Sequence, residues 1–272
     1  MVRIYLPASY SANPRAHFPV LYLHDGQNVF SSAGPDACAG WGNWELNLTV
    51  DTLSSSGMMQ EIIMVSVDNS PDRLEEYSGR RRGRGGVRAP FENYEAFLVR
   101  ELKPWLDQRY RTEAGAVTTS LMGSSMGGVC SLVLAWDNPD VFGGAASLSG
   151  AFSPEHTPLL EMLRVYHGRP KPVRFYLDSG VTSGGGDDGR ACTGDIIAQL
   201  RRIGWTKDNL EWFVDENLVD SEALEKSGLR RDKWAEAQVS QHNEFYWRQR
   251  SWRPLRFLFP ASKRPGGGQN ES

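Results

Sequence analysis

Ser125 lies in Gly123-Ser124-Ser125-Met126-Gly127, between a β-branched run, Val117 to Leu121, and apolar residues at Val129, Leu132, Val133 and Trp136. The second group has the i, i+3, i+4, i+7 spacing of a helix. Strand, sharp turn and helix together predict a nucleophile elbow, with the central serine clear of the sheet and the glycines letting two backbones pass closely. A Gly-x-Ser-x-Gly match means little alone in a chain with 28 glycines; the flanking strand and helix supply its chemical sense. A serine nucleophile needs a base, and the base needs an acid to orient it. His242 follows a polar stretch and precedes Phe245-Tyr246-Trp247, the expected start of a last helix. Between Ser125 and His242 lies an acidic loop running from Asp178 to Asp188, so nucleophile, acid and base can occur in that chain order. His24, ahead of the nucleophile at a strand end, is expected to make a structural hydrogen bond instead.

These residues have to be positioned by a framework, and the hydrophobic pattern describes one. Phe18 to Leu23, Glu61 to Val67, Val141 to Leu148, Val173 to Leu177 and Leu210 to Val214 read as buried strands. Helical patterns alternate with them: Trp41 to Leu53; Phe91, Tyr94, Leu98, Leu102 and Trp105, with a kink expected at Pro104; and Ile196, Ile197, Leu200 and Ile203. Alternation of this kind predicts a mostly parallel central sheet with helices on both faces, and the elbow after one of its strands makes it a sheet of the α/β-hydrolase fold type. In that fold the loop after an early strand supplies one oxyanion N–H and the residue after the nucleophile the other. His24-Asp25-Gly26-Gln27 follows the strand ending at Leu23, which assigns the pair to Gln27 and Met126.

With 272 residues and a formal charge of −3, the chain suits one large α/β domain and is a poor general binder of nucleic acid. Residues 1–260 are expected to form that domain, 216–240 an inserted helical segment, and 261–272 a disordered tail. No apolar run reaches membrane-spanning length and no secretory signal is visible, so a cytoplasmic setting is the default expectation, with secretion of a mature form as the alternative. The three cysteines lack a CxxC spacing and, being odd in number, allow at most a single bridge. Neither cofactor nor metal is expected, since His17 and His24 lie seven apart and not at the i, i+4 spacing of a metalloprotease helix. Arg80, Arg81, Arg82, Arg84 and Arg88 fall in a long polar connection that reads as a solvated loop, with a cationic rim for an anionic substrate as the alternative.

Several longer motifs carry a resemblance: Ile4-Tyr5-Leu6-Pro7, LYLHDGQNVF at 21–30, VSVDN at 65–69 with Arg73 and Glu76-Tyr77-Ser78 after it, LMGSSMGG at 121–128, PDVFGGAASLSGAF at 139–152, and His242-Asn243-Glu244. From the opening motif through Leu258 the chain resembles the putative esterase family of α/β-hydrolases, which includes feruloyl, acetylxylan and enterochelin esterases, esterase D and mycolyltransferases. The resemblance implies a serine esterase with Ser125 as nucleophile, His242 as base, and Gln27 and Met126 as oxyanion donors. Relatives place the acid at the entry to a helix with a threonine five residues on, a spacing matched by Asp188 and Thr193; Asp187 comes next, with Asp178 and Asp195 open. The implied substrate is a small-molecule or carbohydrate ester of the acetyl or feruloyl kind. Trp41, Trp44 and Tyr77 are placed to stack on a ring, unless they serve core packing. An acyltransferase with the same triad, or a silent binding member of the family, are the competing readings. The long charged stretch before His242 departs from the relatives and is expected to form a lid or a surface decoration.

Overall fold

The computed structural model describes residues 1–81, 88–183 and 186–261. Among these residues seven strands form one sheet in the order β1-β3-β2-β4-β5-β6-β7. They are β1 (Val2–Tyr5), β2 (Val20–Leu23), β3 (Ile63–Val67), β4 (Thr119–Ser124), β5 (Gly144–Leu148), β6 (Arg174–Ser179) and β7 (Leu210–Val214). Only β1 runs antiparallel, against β3; the other pairs are parallel.

Alternate residues of each strand serve different faces, as the two-residue period of a strand requires. Tyr22, Val65, Leu121, Ala145 and Phe175 enter one apolar cluster. Their neighbours Leu21, Met64, Met122, Ala146 and Tyr176 enter another. With both faces buried, these strands read as continuous apolar runs, which is how they were visible in the sequence. The helices covering them are α1 (Leu46–Ser55), α2 (Pro90–Ala96), α3 (Lys103–Arg109), α4 (Met126–Asp137), α5 (Leu159–Arg164), α6 (Arg190–Ile203), α7 (Ser221–Ser227), α8 (Glu244–Arg250) and α9 (Trp252–Leu258). The two helices α1 and α9 cover the second face, whereas α2 to α6 cover the first.

Three expectations need correction. The helix expected from Trp41 begins only at Leu46, because Gly40, Gly42 and Glu45 have positive φ and hold residues 41–45 in a loop. The helix kinked at Pro104 is instead interrupted earlier, by a π-helical turn over Phe97–Leu102. That turn takes in an extra residue and rotates the apolar stripe, so Leu106 is buried while Trp105, expected inside, is 40% exposed. The strand expected from Val117 begins at Thr119, and Val117 sits in an exposed 3₁₀ turn.

Within 216–240 the chain forms α7, a 3₁₀ turn at Arg231–Lys233 and a helical turn at Trp234–Ala237. Leu224, Leu229 and Ala237 pack there against Phe245 and Tyr246 of α8. Arg230 ties the segment to Asp36 across the rim of the molecule. The tail from residue 262 lies outside the described residues, as do Arg82 and Arg84. Arg81 pairs with Glu95 and Asp137, and Arg80 donates to the Pro154 and Glu155 carbonyls. All three cysteines are free.

Candidate active site

Strand register brings the candidate residues together. Leu23 lies beside Met122, Ser124 beside Leu148, and Leu148 beside Asp178. The loops after β2, β4, β5 and β6 therefore leave the carboxyl edge of the sheet side by side, where open parallel sheets build their sites. Ser125 turns there with φ 53° and ψ −122° before α4 begins. Its N–H donates to the Leu148 carbonyl and its carbonyl accepts from Ala151, so the bend is anchored to the neighbouring strand. A methyl group at Gly123 would lie 2.5 Å from the Gly127 backbone, so the close pass requires glycine.

Ser125 Oγ lies 3.1 Å from His242 Nε2, and His242 Nδ1 lies 2.6 Å from Asp188 Oδ1. Of the carboxylates weighed for the acid, Asp188 is thus the one bonded to the histidine. Asp187 caps α6 by accepting from the Ala191 N–H, Asp195 is exposed on that helix, and Asp178 is buried against Ser149 and Arg250. Burial pushes the Asp188 carboxyl up, but hydrogen bonds from His242, Ser149 and the Gly180 N–H outweigh it and hold the group below its ordinary value.

Behind the acid lies a buried polar network that sequence reasoning missed. Ser149 Oγ donates to Asp188 Oδ2 at 2.5 Å while accepting from Trp247 Nε1 and Arg250 Nη2. Two incoming N–H groups occupy the hydroxyl's acceptor sites, so its proton is left for Asp188. Arg250 is 2% exposed, and its Nη2 lies 3.3 Å from Asp178 and 3.9 Å from Asp188. Trp247 also sets its ring edge-on to His242, with centroids 5.1 Å apart. The only sequence signals were Ser149-Gly150 at a strand end and Trp247 and Arg250 three apart on one helix face.

On the other side of Ser125, Gln27 follows Asp25 in a 3₁₀ turn, Gly26–Asn28. Arg73 grips the Asp25 carboxylate with Nε and Nη2 at 2.6 and 2.7 Å, and Asn69 Nδ2 adds a third donor. A methyl group at Gly26 would lie 2.7 Å from the Val67 backbone, so the loop packs directly onto β3. Met126 opens α4. Gln27 and Met126 both occupy first-turn positions, where backbone N–H groups lack intrahelical acceptors.

Ser125, His242, Gln27, Trp44, Cys38 and Glu244 share the lining of an open cavity of about 580 Å³. Trp44 reaches it from the 41–45 loop, whereas Tyr77, grouped with it in the sequence, is wholly buried and accepts from the Asp25 N–H. Trp41 packs among the residues of the 216–240 segment. His24 is buried and shares a 2.9 Å hydrogen bond with the Tyr94 hydroxyl, the structural part expected of it.

Burial lowers the His24 pKa from 6.5 to about 4. The folded protein thus keeps His24 neutral while the unfolded chain takes up a proton below pH 6.5. Stability contributed above that pH is lost as pH falls toward 4, by up to about 3 kcal/mol. In urea unfolding of wild type and His24→Gln, the difference in stability should shrink by that amount between pH 7.5 and 4; a pH-independent difference would contradict it.

The fold and the site define a class, and comparison with known proteins agrees. A family model described as "Putative esterase" matches residues 1–265. The chain belongs to the putative esterase family, a group of carboxylic ester hydrolases. It is 22% identical over 237 residues to the uncharacterized protein YbbA of Bacillus subtilis, covering 79% of this chain and 84% of that one. It is 27% identical over 158 residues to an endo-1,4-beta-xylanase/feruloyl esterase of Xylanibacter ruminicola; the match takes in 56% of this chain and only 20% of the larger protein. Among solved structures it is similar to a ferulic acid esterase, with TM-score 0.66, 18% identity, and 95% of this chain and 91% of that one covered. It is also similar to the enterobactin esterase of Shigella flexneri, with TM-score 0.66, 19% identity, and 94% and 54% covered. Among the described residues no helix is long and apolar enough to cross a membrane.

Proposed function

We propose that this ester hydrolase works through Ser125, His242 and Asp188, with the Gln27 and Met126 N–H groups as the oxyanion hole. The observation that carries the reading is the continuous hydrogen-bonded chain from Ser125 Oγ through the imidazole to Asp188. His242 Nε2 takes the proton from Ser125 as Oγ attacks the ester carbonyl carbon. The carbonyl oxygen, now negative, is stabilised by the two N–H groups, a contribution on the order of 3–4 kcal/mol per donor in related chemistry. His242 then protonates the leaving alcohol, and water attacks the acyl-serine by the same route in reverse. Asp188 holds Nδ1–H and stabilises the imidazolium.

The substrate class we propose is acyl esters of carbohydrates or phenolic acids, supported by the likeness to an endo-1,4-beta-xylanase/feruloyl esterase and a ferulic acid esterase. The test is to treat the protein with a fluorophosphonate and map the label by mass spectrometry, alongside hydrolysis of p-nitrophenyl acetate, p-nitrophenyl butyrate and methyl ferulate. Label on Ser125 with ester hydrolysis is the expected result. Label on another residue overturns the nucleophile assignment, and an unlabelled, inert protein overturns the mechanism. Repeating the assay with glycerol present separates hydrolysis from acyl transfer by the product formed.

A further inference from the structure

Glu244 is a buried acid in the reaction cavity that the proposed mechanism leaves unused. It opens α8 two residues after His242, is 8% exposed, and lines the cavity that holds Ser125. Arg73, the arginine on the same cavity wall, is engaged by Asp25, and Arg248 of the same helix pairs with Glu45. The side chain that does reach Glu244 is a weak donor: the Cys38 thiol lies 2.8 Å from Oε1. Burial pushes the Glu244 carboxyl up, with the Cys38 bond a lesser opposing effect. Burial pushes the Cys38 thiol up to about 12, so it acts as a donor and not as a thiolate.

The Glu244 backbone N–H also bonds the carboxyl and His242 favours its charge, but no Lys or Arg pairs with it among the described residues, so a carboxyl lining the open cavity keeps acceptor capacity for a group bound there. The group that complements it in either protonation state is one that both donates and accepts. A hydroxyl does both. An ammonium group could only donate, and a carboxylate or phosphate would be repelled by the ionised form. The cavity wall near Glu244 includes Trp44 and Trp247, whose ring centroids lie 6.1 Å apart.

We infer that Glu244, oriented by Cys38, is a specificity subsite that binds a free hydroxyl of the ester substrate. The inference rests on the hydrolase reading above. The hydroxyl could come from the acyl or the alcohol half, and matched substrates separate the two. Methyl 4-hydroxycinnamate against methyl cinnamate probes the acyl side, and glycerol monoacetate against propyl acetate probes the alcohol side. In one of these pairs the hydroxylated ester should gain, relative to its bare partner, on the order of 10- to 100-fold in kcat/KM from Glu244. Glu244→Met, near in size and apolar, should remove that gain, and Glu244→Gln, which still donates and accepts, should keep most of it. Should the Met variant fail to fold, Glu244→Ala reads the same ratio. Ratios unchanged from wild type in both pairs, or both members of each pair falling together, overturn the subsite. A wild type inert toward all four esters and unlabelled at Ser125 overturns the hydrolase reading and the subsite with it; an active wild type with unmoved ratios overturns the subsite alone.

Discussion

Ser125→Ala, His242→Ala and the double variant are expected to lose about the same activity, on the order of 10⁶ in kcat, with the double variant no worse than either single one. The reason is geometric: Oγ and Nε2 are 3.1 Å apart and in the proposed mechanism share one proton, so removing either end removes the whole transfer. Any residual activity is expected from the proposed oxyanion donors and substrate binding, which neither change touches. Asp188→Asn should be milder, about 10⁴, because the amide fills the same space but leaves the imidazole in the wrong tautomer. The measurement is kcat on one activated ester for the three variants and the double variant, with the contribution of contaminating esterases checked by active-site titration. Losses that multiply in the double variant would mean that Ser125 and His242 act in separate steps, and the proposed triad would be wrong.

Arg250→Met is expected to destabilise the fold by about 3–5 kcal/mol, the usual consequence of stripping a buried ion pair of one partner. Asp178 would be left fully buried with no cation beside it, although burial already raises its pKa against the pull of Arg250. Ser149 would lose one of the two donors that direct its proton toward Asp188, so the acid itself would be less firmly held. The double variant Arg250→Met/Asp178→Asn removes the uncompensated charge and should recover part of the loss. Urea unfolding of the two singles and the double variant at neutral pH completes the cycle. Simple additivity would show that the 3.3 Å contact between Arg250 and Asp178 carries no net coupling.

Such a network was not legible beforehand. Trp247 and Arg250 share one helix face, but Ser149 lies 98 and 101 residues before them, so nothing local marks it as their partner. Ser125 was legible, because the elbow needs a strand, two glycines and an amphipathic helix in immediate succession, and local pattern reports all of these. His242 could be read from chain order alone. The acid could not: Asp178, Asp187, Asp188 and Asp195 lie close together in the chain, and their order relative to Ser125 and His242 is the same.

Burial of both sheet faces wrote the strands into the sequence as apolar runs, and the alternation with helices determined the fold class before any coordinates. Backbone conformation and register, which depend on contacts between distant segments, decided the rest. Among the described residues, the non-glycine residues with positive φ are Asp25, Cys38, Ala39, Glu45, Ser125, Ser149 and Asp188, all in the loops that build or border the cavity. Such conformations persist only where surrounding packing enforces them, and residue type announces none of them. The same holds for the extra residue in the π-helical turn, which put Leu106 inside and Trp105 outside against a regular helical count. The sequence by itself therefore determined the candidate nucleophile and base and the sheet that carries them. The resemblance ranked Asp188 first among four carboxylates, but only the tertiary structure separates it from the others, because the pairing of β5 with β6 and the left-handed turn at Asp188 aim that one carboxylate at His242.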